Sequence, residues 1–277
     1  MPKITIITIN YNNLIGLKRT VESVIHQTWQ EFEYVVIDGG STDGSAAYIE
    51  SQSTHFDYWV SEPDKGIYNA MNKGIAKATG EYLLFLNSGD HLYSSTVLEE
   101  NYNSLTTYDL IYFDIQVVGD IRTKITTYPD TLRFSDLYFK SLPHLGTFIK
   151  KQLFETVGLY DENLKIVSDW KFFILALFKY NCSYIKREGI FSTFYMDGIS
   201  ALSDYSQERN CVLQENFSGY ILDYEEWNTH QKVFNTNRFK MLSEIEKALL
   251  GKKIVSFFFR AYIILFSKKK LKEILKG

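Results

Sequence analysis

Between Ile4 and Asp90 an apolar run is followed by a helix-spaced segment, and the pair repeats until a fourth run closes the series. The first run, ITIITIN from Ile4 to Asn10, is β-branched and suits a buried strand. Leu14, Leu17, Val21, Val24 and Ile25 then recur at helical spacing behind Asn12-Asn13. Tyr34 to Ile37 form a second run ending in Asp38, followed by the breaker cluster Gly39-Gly40-Ser41-Thr42-Asp43-Gly44 and a short helix through Ala46, Ala47 and Ile49. Tyr58 to Val60 give a third strand. Ile67, Ala70, Met71, Gly74, Ile75 and Ala78 mark one face of a helix that Gly80 is expected to terminate, and Tyr82 to Leu86 give a fourth strand. This βαβαβαβ order predicts an α/β fold with a mostly parallel sheet and helices on both faces, which binds ligands in the crevice at the carboxyl ends of its strands.

A chain of 277 residues exceeds the usual single-domain size, so one domain with an appendage is expected. Hydrophobic content of 45% and aromatic content of 16% exclude disorder, and a net charge of -3 removes any global electrostatic case for nucleic acid. Cys182 and Cys211 lie far apart without metal-ligand or redox spacing, which reads as two free thiols in a reducing compartment. The first ten residues have neither a basic nor a continuous apolar signal region, so a cytoplasmic protein is expected. Beyond Asp90 the pattern predicts a helix near Thr96 to Leu105, a strand near Leu110 to Phe113 and a hairpin through Gly119-Asp120. It then predicts a strand from His144 to Ile149, a short helix from Gln152 to Val157 stopped by Gly158, and a helix from Asp169 to Lys179.

Three aspartates follow strands: Asp38 after YVVI, Asp64 after YWVSEP and Asp90 after YLLFLNSG. A carboxylate after the second strand suits a base or ribose, and one at the centre of the rim suits a divalent cation held against a diphosphate. Each alone also suits a turn or helix cap; the three in register favour a site.

The stretches TIITINYNN, VIDGGSTDGS, SEPDKGIYNAMNKGIAKATGEYLLFLNSGD and KIVSDW occur in an order and spacing that resembles family 2 glycosyltransferases, over roughly residues 3 to 200. The resemblance implies a GT-A fold, with residues 1–90 as the nucleotide-sugar binding half, 91–200 as the acceptor-side half and 201–277 as a helical extension. It implies that Asp38 contacts the uracil or its equivalent, that Asn10 and Tyr11 flank the nucleoside, and that Asp64 completes the base and ribose pocket. Asn87-Ser88-Gly89-Asp90 stands where the family has its DxD motif, with only the last acid kept. Asp90 is therefore the expected principal ligand of Mn²⁺ or Mg²⁺, bound mainly with the nucleotide, and Ser88 is expected to contact the ribose or a metal water.

Inverting transfer needs a base opposite the leaving diphosphate. The resemblance puts Asp169 in that role; Ser168 replaces the first of the family's two adjacent acids, and a helix N-cap is the alternative for Asp169. Trp170 suits sugar stacking or core packing equally. His144 is a secondary candidate for the acceptor side, against hydrogen-bonded scaffolding. Gly198 and Ser200, in YMDGIS, resemble a mobile Gly-Ile-Ser segment or an ordinary turn.

Ile254 to Phe266 is apolar, lies between Lys252-Lys253 and Lys268-Lys269-Lys270, and at thirteen residues is too short to span a bilayer. Residues 252–270 suit an anionic membrane surface; packing on the domain or on a second subunit is the alternative. The resulting expectation is a peripheral, cytoplasmic enzyme that moves a hexosyl or N-acetylhexosaminyl group from a nucleotide-diphosphate donor, a UDP-sugar by analogy. The acceptor is a hydroxyl of a glycan or lipid-linked glycan, as in capsule or lipopolysaccharide synthesis. A non-catalytic nucleotide- or glycan-binding assembly partner with the same fold is the alternative.

Overall fold

The computed structural model describes residues 3–119, 122–196 and 205–267. Gly198 and Ser200 lie outside the described residues, as do Asp120 of the expected hairpin and Lys268 to Lys270. The chain divides into two compact units, Met1–Asn216 and Phe217–Gly277.

The first unit opens with β1 (Ile4–Asn10), α1 (Leu14–Ile25), β2 (Glu33–Asp38), α2 (Ser45–Ser51), β3 (Tyr58–Ser61), α3 (Ile67–Lys77) and β4 (Tyr82–Phe85). It continues through β5 (His91–Leu92), α4 (Val97–Asn101), β6 (Leu110–Val118), β7 (Thr123–Thr126), α5 (Phe134–Phe139), β8 (Thr147–Lys150), α6 (Leu153–Val157), α7 (Ser168–Phe178) and β9 (Tyr184–Tyr195). Among the described residues these strands make one mixed sheet in the order β3, β2, β1, β4, β8, β6, β9, β5, with β7 paired to β6. The first four are parallel throughout, as the alternation predicts. β8 then runs antiparallel to β4 and joins the two halves.

Every residue of β1 is buried, because parallel neighbours flank it and helices cover both of its faces. Ile4 and Ile6 pack in a cluster with Leu17, Val21 and Val24 of α1. On the other face Ile7 lies against Gly74 of α3. Burying each of the three α1 side chains is worth about 1.5–3 kcal/mol, more than the roughly 1 kcal/mol of its Asn13 cap, so tertiary packing holds this helix.

Two local expectations are corrected. α3 ends at Lys77 with Ala78 as its cap, and Gly80 serves a different purpose: a Cβ there would lie 2.6 Å from the Thr5 amide nitrogen, so the close approach to β1 requires glycine. The strand expected from His144 begins only at Thr147, because Pro143 starts a 3₁₀ turn over His144–Gly146 and its carbonyl accepts from Gly146 N (3.0 Å) and Thr147 Oγ1 (2.7 Å).

The compact unit runs past residue 200 to Asn216, because the first turns of α8 (Ser206–Phe234) are bonded into it. Helical geometry breaks at Phe217 (φ −139°, ψ 25°), where the second unit starts. That unit contains the rest of α8, α9 (Asn237–Ile245) and α10 (Leu249–Phe266). Among the described residues no helix is long and apolar enough to cross a membrane.

Candidate active site

Asp38 is the last residue of β2 and is fully buried. Its Oδ1 accepts from Asn10 Nδ2 (2.7 Å) and Ser41 Oγ (2.6 Å), and its Oδ2 from the Ser41 amide (3.0 Å) and Ser61 Oγ (2.6 Å). Burial alone would raise its pKa, but the hydroxyls of Ser41 and Ser61, the Ser41 amide and Asn10 together hold it below the ordinary carboxylate value. A carboxylate offers about four lone-pair positions. The protein fills all four, so Asp38 fastens the ends of β1, β2 and β3 together and shapes the turn that follows.

That turn is tied to the loop before α1. Ser41 Oγ accepts from Asn12 N (2.7 Å), Asn12 Oδ1 from Thr42 N (2.8 Å), and Asp43 Oδ2 from Leu14 N (2.8 Å). The backbone of Gly39 lies between Tyr11 and Asp64: a Cβ on it would sit 3.1 Å from Tyr11 Cδ2 and 2.5 Å from Asp64 Oδ2. Tyr11 is 68% exposed, so its ring is available to cover a flat ligand over Gly39. Asp64 Oδ1 accepts from the Gly66 amide (2.8 Å). The structure thus gathers Asn10, Tyr11, Asp38 and Asp64 at one corner of the rim. Asn10 Oδ1 is buried there without a hydrogen-bond partner among the described residues.

Beyond β4 the chain keeps to the sheet as Ser88 N donates to Ile9 O (3.0 Å), then turns at Gly89, whose φ is +111°. Thr20 Oγ1 accepts from Gly89 N (3.0 Å) and donates to Asp90 O (2.6 Å). Ser88 Oγ donates to Asn13 O (3.1 Å), and Arg19, stacked on the Tyr195 ring at 4.0 Å, donates to Gly89 O (3.3 Å). These contacts from α1 fix the backbone from which the Asp90 carboxylate projects.

Among the described residues no three His, Cys, Asp or Glu side chains gather as a metal cluster. The turn that carries Asp90 also carries oxygen groups, the Ser88 hydroxyl and Asn87 Oδ1, the latter buried with no partner among the described residues. One carboxylate and neutral oxygens suit a hard cation that keeps waters and takes its other ligands from phosphates. The residues fit a divalent ion carried in with a nucleotide diphosphate.

Asp169 lies within the first turn of α7, whose N-cap is Val167, so its carboxylate is not the cap. Tyr68 of α3 donates to Asp169 Oδ1 (3.0 Å) and also contacts the Ile166 carbonyl oxygen. Tyr68 stands four residues after Asp64, so this contact brings Asp169 to the segment that begins at Asp64. Burial, then the charge of Asp169, push the Tyr68 phenol far above its ordinary range, so it keeps its proton.

His144 is buried, stacked on Phe85 (4.5 Å) and hydrogen-bonded through Nε2 to Tyr160 Oη (2.8 Å). Burial pulls its pKa down to about 4 against the opposing charge of Asp169. Of its two readings, this geometry is that of a neutral scaffold. Trp170 is likewise core, its Nε1 donating to Leu137 O (2.6 Å).

The sequence reading passed over several residues that build this site. Ser41 and Ser61 satisfy Asp38, Arg19 and Thr20 pin the Asp90 turn, and Tyr68 meets Asp169. From α8, Glu208 accepts from the amides of Lys165 (2.8 Å) and Ile166 (3.1 Å). Arg209 donates to the carbonyls of Leu137, Phe139 and Lys140 and lies 4.3 Å over the Trp170 ring. Ser41, Ser61 and Tyr68 had a local signal, since each lies inside one of the stretches that carry the resemblance; Arg19, Thr20, Glu208 and Arg209 had none.

Residues 5–159, more than half of the chain, match the family model described as glycosyl transferase family 2. The chain belongs to glycosyltransferase family 2. An uncharacterized glycosyltransferase of Mycobacterium tuberculosis is 37% identical over 181 residues, covering 63% of this chain and 69% of that protein. A PGL/p-HBAD biosynthesis glycosyltransferase of the same organism is 30% identical over 180 residues, covering 62% and 68%. Among solved structures, Staphylococcus aureus TarS 1–349 in complex with UDP-GlcNAc has a TM-score of 0.62 at 17% identity, over 98% of this chain and 77% of that one. The mannosyltransferase PcManGT of Pyrobaculum calidifontis, in complex with GDP-Man and Mn2+, has a TM-score of 0.54 at 15% identity, over 95% and 81%. The fold of this family 2 glycosyltransferase is accordingly GT-A-like.

Proposed function

We propose that this glycosyltransferase moves a hexosyl or N-acetylhexosaminyl group from a UDP-sugar to a hydroxyl of a glycan or lipid-linked glycan, with inversion, in cell-surface polysaccharide synthesis. The observation that carries the reading is the Tyr68 contact, which joins Asp169 to the segment that begins at Asp64 on the donor rim. In this reading Asp169 takes the proton of the attacking hydroxyl while the diphosphate leaves from the opposite side. Tyr11 and Asp64 hold base and ribose, and Asp38 and Asn10 keep their frame. Asp90, with Ser88 and Asn87 beside it, would hold Mn²⁺ or Mg²⁺, which supplies positive charge to the leaving diphosphate when bound. The Mn²⁺ named with the mannosyltransferase and the biosynthetic role named for the mycobacterial relative support the metal and the cell-surface acceptor.

The same reading places the enzyme at the cytoplasmic membrane face. At the 3.6-residue period of α10, Lys252, Lys253, Ser256 and Arg260 share one side with the exposed Leu249 and Phe259, and the exposed Leu250, Ile254, Phe257, Phe258 and Leu265 lie on the other. Retention on anionic rather than zwitterionic vesicles checks this part.

The donor assignment is tested by calorimetric titration with UDP, GDP and dTDP, each with Mn²⁺ and with EDTA, on the wild type and Asp90→Ala. Manganese-dependent binding of UDP that disappears in the variant is expected. Binding of none of the three would overturn the donor site.

A further inference from the structure

We propose that Tyr68 is a positioning residue for Asp169, its single phenolic hydrogen moving between Asp169 Oδ1 and the Ile166 carbonyl oxygen as the carboxylate gains and loses charge. The inference rests on the reading of Asp169 as the base.

Tyr68 Oη carries one hydrogen and stands within reach of two acceptors, Asp169 Oδ1 at 3.0 Å and Ile166 O. Among the described residues no other side chain hydrogen-bonds the Asp169 carboxylate. The second acceptor is itself held in place: the peptide N–H groups of Lys165 and Ile166 are fixed by the two carboxylate oxygens of Glu208. Tyr68 is 4% exposed, so water does not substitute for either acceptor.

An ionised carboxylate is the stronger acceptor, because a hydrogen bond to a charged group is roughly twice as strong as one between neutral groups. With Asp169 ionised the phenol donates to Oδ1, which fixes the carboxylate and leaves Oδ2 as the oxygen presented to the acceptor sugar. During transfer the hydroxyl O–H bond breaks and its proton passes to Oδ2. The oxygen forms its bond to the anomeric carbon, and the bond from that carbon to the diphosphate breaks with its electron pair on the leaving group. Asp169 is then neutral, Oδ1 is a weaker acceptor, and the phenolic hydrogen turns to Ile166 O. Tyr68 neither gains nor loses a proton, and its polar group stays paired in both states.

The groups that face Asp169 are Tyr68 from α3, His144 before β8, Tyr160 after α6 and Arg209 from α8. The test therefore follows Tyr68 and Asp169 separately. Protein labelled with carbon-13 at tyrosine Cζ and aspartate Cγ is titrated by NMR, the two resonances being identified by their loss in Tyr68→Phe and Asp169→Asn. The Tyr68 signal is expected to step at the midpoint of the Asp169 carboxyl, to lose that step in Asp169→Asn and to keep it in His144→Gln. A Tyr68 signal that stays flat through the Asp169 titration, or that follows His144, overturns the proposal. Should Tyr68→Phe fail to fold, Asp169→Asn still identifies the tyrosine signals that respond to Asp169, and Tyr160→Phe removes the other tyrosine that faces it. Failure of the base reading is a separate result: Asp169→Asn would then release nucleotide from UDP-sugars at the wild-type rate while the coupled titration was still seen in the wild type.

Discussion

His144 makes the stability of this protein depend on pH in a calculable way. Its ordinary pKa is 6.5; burial against Phe85 and Tyr160 lowers it to about 4, with the Asp169 charge opposing. Between these two values the unfolded chain binds a proton that the folded chain refuses. Stability is therefore complete above the unfolded pKa and declines as pH falls from about 6.5 towards 4, below which the full penalty has been reached. Integrating the linkage relation between pH 7 and pH 5 gives a loss of about 2 kcal/mol from this one side chain. Urea unfolding at the two pH values measures it, with His144→Gln as the reference. The variant is less stable at pH 7, because it forfeits the stacked ring, but it lacks the titration. The expected result is that the wild type loses about 2 kcal/mol more than the variant over this interval. Equal losses in the two proteins would refute the claim that His144 is buried and neutral.

Three further outcomes follow from the site. Asp38→Asn replaces one carboxylate oxygen with an NH₂ that cannot accept, so two of the four donors lose their acceptor. At about 1.5–3 kcal/mol for a hydrogen bond to a charged group, the urea midpoint should report a loss of about 3–6 kcal/mol. Gly39→Ala sets a methyl 2.5 Å from Asp64 Oδ2 and displaces a side chain rather than backbone, so calorimetry should find UDP affinity lowered about tenfold, with the unfolding midpoint unchanged. Arg209→Lys should cost about as much as Arg209→Ala in thermal unfolding, roughly 2–3 kcal/mol. A lysine cannot reach three carbonyls and stack on Trp170 at once.

The first ninety residues were legible because their information is local. The strands β1 to β4 announce themselves by β-branched or apolar runs, the helices between them by spacing, and a parallel sheet leaves one rim on which to look for Asp38, Asp64 and Asp90. What each aspartate does depends on partners that neither periodicity nor residue type singles out. Ser61, which helps saturate Asp38, is an ordinary polar residue at a strand end. The error at His144 has a similar origin: LPHLGTFI reads as a continuous apolar run, and only the carbonyl of Pro143, accepting from Gly146 and Thr147, folds its first half into a turn.

The surroundings of Asp169 depend on contacts that are distant in sequence, which is why its supports were invisible. Tyr68 and Asp169 are separated by 101 residues, and Ile166 and Glu208 by 42, so neither periodicity nor a short motif could pair them. Tyr68 stands three residues before Met71 and seven before Ile75, at the edge of the apolar face that marked α3, but spacing says only that it is buried and not that it packs against Tyr160. Trp170 shows the converse: α7 is buried over most of its surface, so an aromatic at its start is core before it is a sugar platform. The candidate base thus owes its place to residues from three separated segments. Its chemistry should respond to changes at Tyr68 and Glu208 as well as to its own replacement.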